Sequence, residues 1–280
     1  MTRGDLPFAF GLSGQAGWNQ TRDDWLRLLN YQTDGCFVAE WIGNPAGTVT
    51  TTCYGYDLAW IGMLLVEPAL RGKGIGKALL LAALDSLQRR GVRCIKLDAT
   101  PQGRPLYERL GFRPEWTFQR WETSGRVLPE VLPPFRTRRR RVEEIEREAV
   151  AALDYEAFGA DRWVLLRRIE DDISRGLVNE SPRGRINGFG YKRKGARAVY
   201  LGPVIAENQS AAAALLKSLL HPLASRRVFW DVPDHQTGTV ELARKLGFQP
   251  QRPLLRMWLG ARNVAGRPEM VHALAGPEIG

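Results

Sequence analysis

Leu58–Val66, "LAWIGMLLV", is an unbroken apolar run, the pattern of a central strand buried on both faces. From Ile75 to Arg90 the rhythm changes, and apolar residues fall at 75, 79, 80, 83, 84 and 87. That is one stripe of an amphipathic helix, stopped by Gly91. Upstream, "TRDDWLRLL" predicts a helix capped by Thr21, with Asp24 three residues on and Trp25, Leu28 and Leu29 at helical spacing. "GCFVAEWIG" and "GTVTTTCYGY" read as two strands joined by the turn "GNPAG". Beyond the long helix come a strand "CIKLDA", a short helix "RPLYERLG" ending at Gly111, and a final strand "EWTFQRWE". The pattern is mixed α/β.

The second half echoes the first. A shift of 136 residues carries Leu110-Gly111-Phe112 onto Leu246-Gly247-Phe248, Pro114 onto Pro250 and Arg120 onto Arg256. The same shift carries Leu79 and Leu80 onto Leu215 and Leu216, and "DDWLRLL" finds a counterpart in "DRWVLLRRI" at a slightly different offset. One shift shared by separate segments predicts two copies of one fold. The boundaries read as 1–125 and 142–280, joined by a Pro- and Arg-rich stretch over 126–141.

Composition narrows the function. The 280 residues carry a net charge of +10, which suits an anionic ligand. Part of the excess is "RTRRRR", Arg136 to Arg141, but no aromatic residue interleaves it and "VEEIERE" follows with counter-charges. Nucleic acid is therefore not the expected partner. Three scattered cysteines and three histidines predict neither a disulfide framework nor a metal site. No apolar stretch has the length of a signal peptide core or a membrane span. A soluble cytoplasmic protein is expected, and a homodimer stays open.

The strand and the long helix are joined by "VEPALRGKGIGKALL". The first N–H groups of a helix lack partners within it and lie at the positive end of its dipole. Glycines at 72, 74 and 76 leave those amides open to a phosphate, and Arg71, Lys73 and Lys77 add charge around them. A Walker loop would need Ser or Thr after Lys77, where Ala78 stands. The dinucleotide fingerprint fails on its last glycine step.

Val66-x-Pro68 followed by Arg71-x-x-Gly74-x-Gly76 resembles the pyrophosphate loop of the GCN5-related N-acetyltransferases, as does Tyr107 ahead of Leu110-Gly111-Phe112. The resemblance covers residues 15 to 121 and implies two tandem domains of that fold, each a twisted mixed sheet flanked by helices. It implies acetyl-CoA as co-substrate, with an acetyl or short acyl group passing to the primary amine of a small molecule. Leu64, Leu65 and Val66 would pair with the pantetheine arm. Arg71, Gly72, Lys73, Gly74, Ile75, Gly76 and Lys77 would hold the pyrophosphate, and Tyr107 would protonate the leaving thiolate. Trp18, Asn19, Gln20, Tyr54 and Trp60 are candidates for the acceptor pocket. No strand carboxylate offers itself as base, since Glu40, Asp57 and Glu67 read as surface charges. In the second copy the loop becomes Glu207-Asn208-Gln209-Ser210-Ala211-Ala212 and Tyr107 becomes Ala243. That copy should keep the fold without the chemistry. A non-catalytic acyl-CoA-binding module is the alternative reading.

Overall fold

The computed structural model describes residues 1–123, 137–139, 144–171, 176–223, 225–261 and 266–280. The junction 126–141 therefore lies outside the described residues except at 137–139, and most of the arginine run lies outside with it.

In the first half, α1 (Leu6–Gln15) and α2 (Arg22–Tyr31) precede β1 (Cys36–Trp41), β2 (Asn44–Tyr54) and β3 (Leu58–Val66). Then come α3 (Ile75–Arg89), β4 (Cys94–Ala99), α4 (Arg104–Arg109) and β5 (Arg113–Thr123). The second half runs β6 (Thr137–Arg139), α5 (Glu144–Phe158), α6 (Trp163–Asp171), β7 (Leu177–Glu180), β8 (Ile186–Arg193) and β9 (Val199–Ala206). It continues with α7 (Gln209–Leu220), β10 (Val228–Pro233), α8 (Thr237–Lys245), β11 (Gln249–Gly260) and β12 (Val271–Ala273). No helix among the described residues is long and apolar enough to cross a membrane.

Thr21 caps α2 as expected, accepting from the Asp24 N–H while the Asp24 carboxylate accepts from the Thr21 N–H. Two local expectations change. The turn between β1 and β2 is only Ile42-Gly43, so most of "GNPAG" is strand. Helix α1 was not expected, because "LPFAFGLSGQ" is glycine-rich and apolar on several sides, and shows no helical stripe.

Both halves build one mixed sheet of twelve strands, in the order β1-β2-β3-β4-β11-β5-β10-β9-β8-β7-β6, with β12 beside β9. The halves exchange one strand each. β11 pairs with β4 of the first half, β5 pairs with β10 of the second, and β11 and β5 pair with each other at the centre. Alternate residues of a strand face opposite sides, and here each side has its own core. Leu58, Trp60, Met63 and Leu65 of β3 point into a core shared by α1, α2, α5 and α6, while Ala59 and Ile61 pack beneath α3. A further core lies under α7 and α8.

Each exchanged strand carries a buried arginine that pairs with an aspartate of the other half. Arg120 on β5 holds Asp231 on β10 through two bonds of 2.7 and 2.5 Å, and Arg256 on β11 holds Asp98 on β4 at 2.9 and 3.0 Å. The residue echo from Arg120 to Arg256 is thus a repeated structural clasp.

Candidate functional site

β3 and β4 run parallel and pair from Leu58↔Cys94 to Ile61↔Leu97, and there the ladder ends. Gly62–Val66 diverges from β4, so its main-chain groups on that side are left without a strand partner. The divergence begins at a bulge. Thr48 faces Leu65 and Thr50 faces Gly62, so Met63 and Leu64 together oppose Val49. Met63 takes φ 52, rare for a residue with a side chain, and its carbonyl accepts from the Thr48 hydroxyl at 2.9 Å.

The opening leads into a cavity of about 910 Å³. Its floor is Ile61 to Val66. One end is the glycine loop, with Arg71, Gly72, Gly74, Ile75, Gly76 and Lys77 in the wall. Gly72 and Gly74 sit at φ 80 and 84, where a side chain would be strained, and no atom stands within 4 Å of where their Cβ atoms would be. Gly74 is the N-cap of α3 and offers no side-chain cap, so the first-turn amides open toward the cavity. Lys73 does not line it; its ammonium lies over the Trp41 ring, 5.2 Å from the centroid.

The corresponding helix of the second half is closed at this point. Asn208 caps α7 with its own side chain, accepting from the Ala211 N–H at 3.0 Å, and Glu207 pairs with Arg185. No such cap-free, glycine-lined cradle exists there.

Tyr107 reaches the cavity from α4. Its ring packs edge-on against Phe112, with centroids 6.0 Å apart, and close against Gly103, where a Cβ would meet it at 3.0 Å. Burial pushes the phenol pKa up, so the hydroxyl keeps its proton throughout the neutral range.

The five expected acceptor-pocket residues separate into two groups. Trp18 and Gln20 line the cavity. Asn19, Tyr54 and Trp60 do not, because each is spent on a structural bond. The Asn19 amide oxygen accepts from the N–H groups of Arg197 and Ala198 at 2.9 and 3.0 Å. The Tyr54 hydroxyl donates to the Ile279 carbonyl at 2.8 Å, and the Trp60 indole to the Pro277 carbonyl at 2.9 Å. These three tie the second half and the 277–280 segment onto the first half. Of the dismissed carboxylates, Asp57 is exposed and paired with Arg93.

What the sequence reading missed comes from the far half. Arg252 and Leu254 on β11, and Pro277 and Glu278, complete the wall. Glu278 lies on Gly62, where a Cβ would meet its backbone at 2.8 Å. Its carboxylate accepts from Gln20 Nε2 at 2.8 Å and from Arg193 at 2.7 Å. Asp98 also lines the cavity; burial raises its pKa against the opposing pull of Arg256.

Comparison with known proteins agrees with this geometry. Residues 8–112 match the profile of the acetyltransferase (GNAT) family, and residues 150–273 match that of an acetyltransferase (GNAT) domain. YitH of Bacillus subtilis, described as an uncharacterized N-acetyltransferase, is 26% identical over 85% of this chain and 82% of its own. The holothin acyltransferase of a Pseudoalteromonas species is 26% identical over 94% of this chain and 87% of its own. A solved structure from Pyrococcus horikoshii superposes with a TM-score of 0.84 at 23% identity, covering 100% of this chain and 94% of that one. A tandem GNAT protein from the clavulanic acid biosynthesis pathway superposes with a TM-score of 0.66 at 16% identity, over 93% and 95% of the two chains. With one family domain in each half and the strand splay and glycine loop in the first, the chain belongs to the GCN5-related N-acetyltransferase superfamily as a tandem-domain member.

Proposed function

We propose that the chain moves an acetyl or short acyl group from acetyl-CoA to the primary amine of a small molecule, and that its first half does the chemistry. The observation that carries this reading is the joining of three features in one cavity. These are the open amides of the glycine loop, the edge of Gly62–Val66 that β4 leaves without a strand partner, and the Tyr107 phenol. The empty space over Gly72 and Gly74 fits a diphosphate, and Arg71 and Lys77 bring the matching charge. The strand edge fits the amides of a pantetheine arm.

The bound thioester would supply the acyl group and a thiolate leaving group. The chain's part is to hold, orient and protonate. Amides at residues 72–77 anchor the phosphates, and the backbone of Leu64, Leu65 and Val66 aligns the arm. A free N–H at the bulge polarises the acyl carbonyl as negative charge develops on its oxygen. Holding amine and carbonyl in line removes much of the entropic barrier. Tyr107, kept protonated by burial, donates its proton to the sulfur as the C–S bond breaks, and the proton that the attacking neutral amine sheds passes through water to restore the phenol. The second half, which lends Arg252, Leu254, Pro277 and Glu278 to the wall, shapes the acceptor end.

Thiol release from acetyl-CoA across a panel of amines, with Tyr107→Phe in parallel, tests this. The substitution should lower kcat by about 10²–10⁴-fold while leaving the Kd for coenzyme A within about twofold. The rival reading, a non-catalytic acyl-CoA-binding module, rests on the absence of any ionisable side chain on β3. Tight binding of acetyl-CoA with no amine ever acylated would establish that reading instead.

A further inference from the structure

At the second-half end of the cavity, two polar atoms have no protein partner. The first is Nε of Arg252, buried and unbonded. No carboxylate among the described residues pairs with this guanidinium; its contact is with the Trp18 ring, 6.0 Å from the centroid. Each nearby acid is already engaged. Asp231 is held by Arg120 and by the Tyr200 hydroxyl, at 3.0 Å. Glu278 is held by Arg193 and Gln20. Every buried arginine discussed above has a carboxylate partner, whereas the half-buried Arg252 has none among the described residues.

Burial, followed by the charge of Arg120 beside it, pushes the Arg252 pKa down to about 10. The group is still cationic at neutral pH. Keeping an unpaired charge at a half-buried site costs free energy that an incoming anion would return.

The second atom is Oε1 of Gln20, a buried acceptor with no donor. The orientation of this amide is settled by chemistry. Its other end meets the Glu278 carboxylate, which only accepts, so Nε2 must point there and Oε1 must face elsewhere. Both residues line one cavity: on β11 a guanidinium without a carboxylate partner, and beside the splayed strand an amide whose oxygen has no donor and whose nitrogen is held by the Glu278 carboxylate.

We propose that the acceptor is an amine that also carries an oxyanion group, a carboxylate or a phosphate, with Arg252 binding the oxyanion and Gln20 accepting an N–H of the amine. This rests on the transferase reading above and names the class of substrate its site takes. Trp18 lines the same cavity, and the Arg252 guanidinium lies over its ring at 6.0 Å from the centroid. A planar guanidinium suits either oxyanion through paired hydrogen bonds.

The test uses the full chain and three matched sets of amines. One set carries a carboxylate (glycine, β-alanine), one a phosphate (phosphoethanolamine), and one is uncharged (glycinamide, ethanolamine). Initial rates with acetyl-CoA are measured alongside calorimetric binding of each amine to the protein without acetyl-CoA. One of the two anionic sets should exceed its uncharged counterparts at least tenfold in kcat/KM, and which one does identifies the oxyanion. Arg252→Met should raise KM for that set at least tenfold, with KM for acetyl-CoA and for uncharged amines within about twofold. Arg252→Lys should recover part of the loss, and it keeps the test alive if the methionine variant melts early. Uncharged amines equalling anionic ones, or Arg252→Met weakening all amines and acetyl-CoA alike, would overturn the proposal. The calorimetric arm separates the two readings. Arg252-dependent binding of anionic amines without turnover would retain this inference and sink the transferase, whereas turnover of uncharged amines alone would do the reverse.

Discussion

Gly74 is the residue on which the loop turns. At φ 84 it holds a conformation that disfavours a Cβ by about 1–2 kcal/mol, and a methyl group there would meet no protein atom. Its Cβ would instead enter the space above the α3 amides. Gly74→Ala should therefore lower stability by about 1 kcal/mol and weaken coenzyme A binding about tenfold. Chemical denaturation and calorimetry would read the two effects separately, and unchanged affinity would remove the cradle from that position. Asn208→Ala gives the contrast in the other half. It removes a side-chain cap worth about 1 kcal/mol and should leave coenzyme A affinity alone. The loop was legible in the sequence because glycine spacing and helix periodicity are both local. Lys73 was not, because what turns its ammonium away is Trp41, a neighbour visible only in the folded chain.

Most elements could be read from periodicity, β3, β4 and α3 nearly to the residue. Their partners could not. β5 and β11 carry matching patterns 136 residues apart, so either strand fits either half, and no local signal reveals the exchange. The trace of it was the recurring arginine. Arg120 and Asp231 are 2% and 0% exposed, so removing one member strands a charge in the core. Asp231→Ala should cost about 3–5 kcal/mol. Replacing both residues with apolar ones, Arg120→Met with Asp231→Leu, should return most of that loss, since a buried pair contributes little net stability over packed hydrocarbon. Urea unfolding of the single and double variants measures this directly. A double variant as unstable as the single one would mean that the clasp itself, rather than the stranded charge, carries the stability. The same reasoning explains why Arg252 escaped notice in the sequence. The echo places Trp116 at its counterpart position, so no repeated residue marks it, and only the exchange of β11 brings it to the first half's cavity.

Among the described residues the two halves meet at the exchanged strands, at Asn19 against Arg197 and Ala198, and along the segment from Met270 to Gly280. That segment passes from β12 to Glu278 in the cavity wall, and His272 sits on it, 2% exposed. The Trp230 indole donates to the His272 carbonyl at 3.2 Å, and the Thr239 hydroxyl lies 2.8 Å from its Nδ1. Burial lowers the imidazole pKa from 6.5 to about 4. Between those two values the unfolded chain binds a proton at this position and the folded chain does not. Stability therefore rises with pH through the window and is lost as pH falls from about 6.5 toward about 4, by about 3 kcal/mol for this group. Carboxylates titrate over part of the same range, so the contribution must be taken as a difference. His272→Gln cannot take up the proton and should flatten the dependence by that amount, as read from urea midpoints at pH 7, 5.5 and 4.5. The effect should reach the site as well. A charge forced onto His272 strains β12 against β9, and the strand leads directly to the Glu278 that holds Gln20 and rests on Gly62. Acid should thus weaken amine binding before the chain unfolds, and less so in the glutamine variant. Parallel pH profiles for the two proteins would sever that link.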